Sequence, residues 1–219
     1  AIPEHRLAHK PTNLSFEEAA AVPSAGVIAL QALREPRPLK AGQRLLMNGA
    51  GGGVGTFVIQ LAKLYGAHVT AVDTAAKFDL LRELGADEVI DYTTTDFTKT
   101  GQTYDRIIDV VASRPISAYR RALTPNGTFV LIGGTFPVIM QAFFIGGWLS
   151  KRTSQRLGIL MLRTNSQDLD QLRTLIEAGH LRPHIDRRYP FENTADALTY
   201  LESGHAQGKI VIQSPQHIA

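Results

Sequence analysis

The chain has 219 residues, of which 44% are hydrophobic and 20% are charged. This composition is ordinary for a folded domain, and the length allows one complete α/β domain with a smaller addition. The net charge is only +3 and the basic residues are scattered, which argues against a nucleic-acid partner. The chain contains no cysteine, which excludes disulfides and thiolate metal sites and makes a cytoplasmic location the expectation.

The first helix is predicted by a capping box, in which Ser15 is followed three residues later by Glu18. A second helical stretch covers residues 25–33. Six apolar strands then follow at residues 45–49, 68–72, 88–91, 106–111, 128–133 and 157–162, and helical patterns separate them at residues 54–65, 77–84, 115–122 and 137–150. This alternation predicts an α/β fold with a doubly wound parallel sheet of the Rossmann type.

The pattern changes after residue 163, where helices are predicted at residues 168–178 and 195–203 and strands at 185–189 and 210–212. We interpret this part as a small α+β appendage. The predicted organisation is therefore a short entry segment at 1–16, a Rossmann domain at 17–163 and the appendage at 164–219. The longest apolar stretch, residues 136–149, is too short to span a membrane, so we expect it to be buried or covered by a partner, and we expect no membrane partner.

A glycine-rich turn follows the strand at residues 45–49 and opens a helix. Read as an x-x-G-x-x-G fingerprint, its three special positions are Ala50, Gly52 and Gly55. Ala50 is expected to make the tight exit from the strand, Gly52 to let the backbone approach a phosphate, and Gly55 to let the helix pack closely on the strand. Gly53 and Val54 complete the turn at the helix N-terminus, where main-chain N–H groups bind a pyrophosphate.

An acidic residue supports this interpretation against the alternative of an unstructured turn. Asp73 ends the next predicted strand, about 20 residues after the turn, where a carboxylate accepts the ribose hydroxyls of a dinucleotide. Val111 and Gly133 end two later strands and are expected beside the adenosine or the nicotinamide. The alternative for these two positions is a permissive strand end without a binding role.

A family resemblance is carried by four strings, which are NGAGGGVGTFVIQLAKLYGAHVTAV, LRELGADEVIDY, LTPNGTFVLIGG and LIEAGHLRPHIDRRYPFENTADALTYLESGHAQGKIVI. With them the chain resembles the zinc-independent quinone oxidoreductase branch of the medium-chain dehydrogenase/reductase superfamily. The resemblance implies an NAD(H) or NADP(H) cofactor and an N-terminal substrate domain that precedes residues 1–16. Because the chain begins abruptly at Ala1, we expect a fragment that binds cofactor but is inactive alone.

The residues that bear on the choice between NAD(H) and NADP(H) point in opposite directions. The resemblance assigns Lys77 and Tyr92 to a pocket for the 2′-phosphate of NADPH, whereas the charge of Asp73 opposes a 2′-phosphate. A third position, an arginine in those relatives, is Gly204 here. The sequence therefore favours NAD(H) and leaves NADP(H) open. The alternatives are that Lys77 is solvated in the first helical turn and that the ring of Tyr92 packs at a strand end.

Zinc is predicted to be absent. The resemblance implies that zinc-dependent relatives place a cysteine at the start of the helix that here reads VPSAG, and no Cys, His or carboxylate occupies this segment. A catalytic zinc needs three protein ligands. The seven histidines also lack the helical i, i+4 pairing of a zinc motif.

The predicted function is hydride transfer from NAD(P)H to a quinone or an activated alkene or carbonyl, with unidentified catalytic residues. The partners expected are a small-molecule substrate and, in a homodimer, a second copy of the chain. Two alternatives stay open. One is an enoyl-reductase module of a polyketide or fatty-acid synthase, and the other is a non-catalytic nucleotide sensor or interaction protein.

Overall fold

The computed structural model of the protein describes residues 3–214, so that Ala1 and Ile2 of the predicted entry segment lie outside the described part. Within this part the α-helices are α1 (Phe16–Ala20), α2 (Pro23–Arg34), α3 (Gly53–Leu64), α4 (Phe78–Glu83), α5 (Ile116–Arg121), α6 (Phe136–Gln141), α7 (Gly147–Arg152), α8 (Ser166–Glu177) and α9 (Thr194–Glu202). The strands are β1 (Arg44–Asn48), β2 (His68–Asp73), β3 (Glu88–Asp91), β4 (Tyr104–Asp109), β5 (Leu123–Leu131), β6 (Arg156–Ile159), β7 (Ile185–Pro190) and β8 (Lys209–Gln213).

Six of these strands form one parallel sheet in the order β3-β2-β1-β4-β5-β6. The strand order reverses between β1 and β4, which is the arrangement of a doubly wound Rossmann sheet. Leu45, Leu46 and Met47 of β1 are fully buried, because β1 lies in the middle of the sheet with cores on both faces. The predicted fold class is confirmed.

Each face of the sheet is covered by a separate apolar core. On one face α2, α3 and α8 pack against β1 and β2, and on the other α5 and α6 pack around a cluster of aromatic rings. In that cluster the rings of Tyr119 and Phe129 stack with their centroids 4.2 Å apart, and Phe97 lies beside them.

The three strands β4, β5 and β6 end two or three residues earlier than the sequence predicts, at Asp109, Leu131 and Ile159. β4 ends at Asp109 rather than at residue 111, because the carboxylate of Asp109 accepts the N–H of Val111 at 2.8 Å and turns the chain out of the sheet. β5 begins already at Leu123, which pairs with Tyr104 across a register shift.

The predicted helix at residues 137–150 consists of α6, a π-helical turn at Ala142–Gly146, and α7. Val138 and Ala142 are buried in it, but Phe136, Phe143 and Phe144 are exposed, so the expectation of burial is wrong for these three rings. None of the helices in residues 3–214 combines the length and the apolar character that crossing a bilayer requires.

The C-terminal part forms a two-stranded parallel sheet, β7-β8, and the helices α8 and α9. A buried carboxylate joins it to the Rossmann sheet. Asp168, at the start of α8, accepts hydrogen bonds from Arg34 Nη1 at 2.7 Å and Gln31 Nε2 at 2.6 Å, both on α2. The α+β appendage is present as predicted, while the exact domain boundaries stay a prediction.

Candidate functional site

The turn after β1 departs from the sequence prediction at its first position. Gly49, not Ala50, has a left-handed backbone with φ of +79°. A Cβ atom on Gly49 would lie 2.4 Å from Val110 Cγ2, so glycine is needed there for space as well. Ala50 is fully buried and its N–H donates to Val72 O at 3.1 Å. The tight exit predicted for Ala50 is therefore made by Gly49, and a cofactor contact by Ala50 stays a prediction.

The other two positions of the fingerprint have different surroundings. A Cβ atom on Gly55 would lie 2.2 Å from Ala50 O, so the close packing of helix on strand predicted for Gly55 is confirmed. Around Gly52 the nearest atom to such a Cβ is Gly49 O at 3.5 Å. A side chain at Gly52 would therefore point into open space, where a ligand has room to approach.

The N-terminus of α3 provides donors for an anion. The first main-chain bond of this helix runs from Thr56 N to Gly52 O at 3.1 Å. The N–H groups of Gly53, Val54 and Gly55 precede it and have no carbonyl of the helix to bind. Gly52, the N-cap residue, offers no side chain to satisfy them. Such a terminus, with the positive end of the helix dipole, fits a pyrophosphate.

A C-terminal segment that sequence analysis missed crosses this turn. We call residues 204–209 the strap. Gly208 N donates to Gly51 O at 2.8 Å, and Gly208 pairs with Gly52 as an isolated β-bridge. Lys209 Cδ lies so close to Gly53 that a Cβ atom there would be 2.6 Å away. The strap therefore brings the basic side chain of Lys209 to the start of α3.

Asp73 and Lys77 form a buried pair under the turn. Lys77 Nζ lies 3.4 Å from Asp73 Oδ1 and donates to Gly204 O of the strap at 3.1 Å. Asp73 Oδ2 accepts Gly51 N at 2.8 Å, and Oδ1 accepts Thr74 N at 2.9 Å. Because both side chains are only 8% exposed, the alternative of a solvated Lys77 is wrong. The Asp73 carboxylate is also already engaged by groups of the protein.

A cavity of about 480 Å³ lies where the carboxyl ends of β1 to β4 meet the strap. This is the position at which a doubly wound sheet binds its ligand. The cavity is lined by six of the predicted residues, which are Gly52, Gly53, Asp73, Lys77, Tyr92 and Val111. Tyr92 is 51% exposed, so the alternative of a packed ring is wrong for it. The lining atoms and the size of this cavity fit part of a dinucleotide.

Gly133 is not among the lining residues. A Cβ atom on Gly133 would lie 2.6 Å from Val110 O, so the glycine permits a close approach of the two backbones after β4 and β5. Val54 and Gly55 also lie outside the cavity wall, and only their N–H groups at the helix start are suited to a ligand. The cofactor roles of these three residues stay predictions.

A buried carboxylate supports the floor of the cavity. Asp109, which is fully buried, accepts Asn48 Nδ2 and Tyr119 Oη, each at 2.9 Å, and the N–H of Val111 at 2.8 Å. Burial raises the pKa of Asp109, and these hydrogen bonds act against the rise. The network fixes Asn48 and Val111, which both line the cavity.

The described residues do not fit a catalytic zinc. Within residues 3–214, no three His, Asp or Glu side chains lie together in a way that could hold a metal ion. A zinc site of this kind needs three protein ligands around an open position.

A second cavity, of about 710 Å³, lies beside the edge strand β6. It is lined by Arg34, Arg156, Gly158, Met161 and Asp168, among others. It lies at the far edge of the sheet from the glycine turn, and it does not include the strap. The cavity at the glycine turn is therefore the candidate site for a dinucleotide.

The comparisons with known proteins agree with this geometry. The family model described as "Zinc-binding dehydrogenase" matches residues 84–212. The chloroplast envelope quinone oxidoreductase homolog of Arabidopsis thaliana is 34% identical over 214 residues, which are 93% of this chain and 64% of the relative. The 2-methylene-furan-3-one reductase of Solanum lycopersicum is 37% identical, with coverage of 97% and 50%.

Among solved structures, the quinone oxidoreductase from Coxiella burnetii superposes with a TM-score of 0.81 and is 30% identical over 94% of this chain. The chain covers 63% of that protein, so it spans about two thirds or less of the length of these relatives. The sheet order, the glycine turn and these similarities show that the chain belongs to the medium-chain dehydrogenase/reductase superfamily, in its quinone oxidoreductase-like branch.

Proposed function

We propose that this chain is the dinucleotide-binding part of a zinc-independent NAD(P)H oxidoreductase, which transfers hydride to a quinone or an activated alkene or carbonyl. The observation that carries the proposal is the glycine turn, which presents the N-terminus of α3 to a cavity at the switch point of the sheet. The names of the quinone oxidoreductases and of the furanone reductase support the two substrate classes.

The pyrophosphate would bind at the start of α3. The N–H groups of Gly53, Val54 and Gly55 donate to its oxygens, and Gly52 leaves the approach open. Lys209 adds a positive charge from the strap, and its side chain has no ion-pair partner among the described residues. Charge-assisted hydrogen bonds of this kind are the stronger ones in proteins.

The adenosine would lie across the carboxyl ends of β2 to β4, against Asp73, Tyr92 and Val111. The nicotinamide half would extend past Val110 toward Gly133 and the loop after β5, where the absence of a side chain at Gly133 lets the two backbones lie close together. When bound, the nicotinamide supplies the hydride. The residues of this chain bind and orient it, and the Asp109 network keeps the cavity floor in place.

Three further parts of the proposal concern zinc, oligomeric state and cellular location. The zinc-independent part rests on the VPSAG segment, which offers no metal ligand. A homodimer is supported by the free edge of β6 and by exposed apolar side chains near it, such as Met161, which is 77% exposed. The proposal keeps the cytoplasm as the location expected from the sequence, although one relative is named for the chloroplast envelope.

The binding part is tested by titrating the chain with NADH and with NADPH, before and after Gly52→Val. The added side chain occupies the open approach at the turn without a steric conflict in the protein, so we expect loss of dinucleotide binding with a retained fold. Gly147→Val is the matched control, because a Cβ atom at Gly147 meets nothing within 4 Å and α7 lies outside the cavity. Unchanged binding by Gly52→Val would contradict the assignment of the turn.

The catalytic part is tested on the full-length protein with a panel of quinones and enones. We expect turnover by the full-length protein and binding without turnover by residues 1–219. Reduction of acyl-thioester enoyl substrates alone would favour the enoyl-reductase alternative. Binding of a dinucleotide without turnover of any acceptor would favour the nucleotide sensor.

A further inference from the structure

The wall of the cavity contains three charged side chains, which are Asp73, Lys77 and Arg114. Asp73 and Lys77 compensate each other at 3.4 Å, and Asp73 also accepts two main-chain N–H groups. The carboxylate of Asp73 therefore repels an incoming anion less than its position in the sequence suggests. Arg114 is the third charged residue of the wall, and it takes no part in this ion pair.

Arg114 is held in place from one side only. Its Nε donates to Asp96 Oδ1 at 2.7 Å, and its Cζ lies 4.9 Å from the ring centroid of the buried Phe97. Asp96 is itself fixed, because it accepts Thr98 N at 3.0 Å and Thr98 Oγ1 at 2.8 Å. Within the described part of the chain, the two terminal nitrogens of Arg114 make no hydrogen bond. The two terminal nitrogens of Arg114 therefore form a planar fork of donors that can bind a ligand in the cavity.

The charge around Arg114 is not fully compensated by Asp96. Lys99 Nζ lies 3.8 Å from the same carboxylate, so two cations share one anion. Lys99 itself is 77% exposed and does not line the cavity. The side chain of Arg114 is only 22% exposed, so solvent screens its charge less than that of Lys99.

Arg114 lines the same cavity as Asp73, Lys77 and Tyr92. In a doubly wound sheet the 2′ position of the adenosine ribose lies at the end of β2, next to Asp73. The ion pair with Asp96 ties the loop after β4 to the loop after β3, where Tyr92 donates its N–H to Asp73 O at 3.3 Å. The ion pair therefore joins the two loops that carry Arg114 and Tyr92, and both residues contribute to the wall of the cavity that contains Asp73.

We propose that Arg114 selects NADP(H) over NAD(H) by donating its two terminal nitrogens to the 2′-phosphate. A guanidinium fork matches two phosphate oxygens, whereas the 2′-hydroxyl of NAD(H) cannot accept such a pair of charge-assisted bonds. The inference rests on the proposed function, because it requires a dinucleotide in this cavity. It reverses the preference for NAD(H) that Asp73 suggests in the sequence.

The experiment compares dissociation constants for NADPH and NADH in the unmodified chain and in Arg114→Gln. We expect tighter binding of NADPH by the unmodified chain, about a tenfold loss for NADPH in Arg114→Gln, and a change within about twofold for NADH. Lys99→Gln removes a cation from the same carboxylate outside the cavity, and it should change neither constant. Adenosine 2′,5′-bisphosphate and 5′-AMP, used as smaller probes, should repeat the pattern.

A second variant, Arg114→Lys, keeps a cation beside Asp96 and removes the fork, so it should retain the fold and still lose affinity for NADPH alone. Equal weakening of NADH and NADPH in both variants would overturn the inference, because Arg114 would then support the adenine or the loop. Unchanged constants would overturn it as well. An unmodified chain that binds neither dinucleotide would contradict the proposed function itself.

Discussion

The close contact between Gly55 and Ala50 predicts a large effect for a single methyl group. In Gly55→Ala the new Cβ would lie 2.2 Å from Ala50 O and 2.6 Å from Ala50 C and Cα. These are main-chain atoms of a buried turn, which cannot move aside like the end of a flexible side chain. The start of α3 must therefore retreat from β1 by about 1 Å to restore ordinary contact distances.

The magnitude follows from what α3 buries. Phe57, Ile59 and Leu61 are fully buried against the sheet, so a shift of the helix disturbs the packing of the largest core. Overpacking of a well-packed core costs about 1 to 3 kcal/mol, and we expect the upper end because the obstacle is backbone. For a domain of this size, about 3 kcal/mol lowers the melting temperature by about 6 to 12 °C.

The assay is thermal unfolding followed by circular dichroism, with urea unfolding as a second measurement of the free energy. Gly52→Ala is the matched control, because its Cβ would lie 3.5 Å from the nearest atom and its φ of −86° suits any residue. We expect it to change the free energy of unfolding by about 0.5 kcal/mol or less. Equal melting temperatures for the two variants would refute the reasoning from backbone contact.

Three further predictions concern buried polar groups. Burial opposes ionisation of Asp168, but the hydrogen bonds from Arg34 and its neighbours outweigh this effect and hold the pKa of Asp168 below its ordinary value. The free energy of unfolding should therefore fall as the pH drops from about 4 towards the lowered pKa, and urea midpoints for Asp168→Asn should show less of this loss. Burial lowers the pKa of Arg106 to about 10, and its guanidinium donates to three main-chain carbonyls at the end of α2. Arg106→Met should therefore lower the free energy of unfolding by about 2 to 4 kcal/mol in urea, and a loss below 1 kcal/mol would contradict this account. Tyr119→Phe removes one hydrogen bond to the buried Asp109 and should cost about 1 to 2 kcal/mol in the same assay, whereas an unchanged midpoint would show that the bond is replaced by another donor.

The strands were predictable because each is a short apolar run with a turn signal behind it. Each of the six strands of the sheet overlaps the apolar run predicted for it, and the doubly wound order follows from the right-handed crossovers. Their ends were less predictable, since a side-chain bond such as that of Asp109 to Val111 ends β4 before its apolar run ends. The pattern of hydrophobic residues in the sequence carries no information about a bond of this kind.

The site was predictable only at the residues close to the motif in sequence. Gly52 and Gly53 line the cavity as expected, but the left-handed turn falls on Gly49, one residue before the fingerprint position, because Val110 leaves no room there for a side chain. Lys209 and Arg114 were missed. Each reaches the site through a contact with a distant part of the chain, and local spacing carries no signal of such contacts.

The strap has a consequence for the order of events during synthesis of the protein. The turn after β1 leaves the ribosome more than 150 residues before Gly208, so the bond from Gly208 N to Gly51 O forms only when that later segment has emerged. A nascent chain that ends before residue 204 would lack one wall of the cavity and the lysine beside α3. Dinucleotide retention by stalled nascent chains should therefore begin only when the last strand has been made.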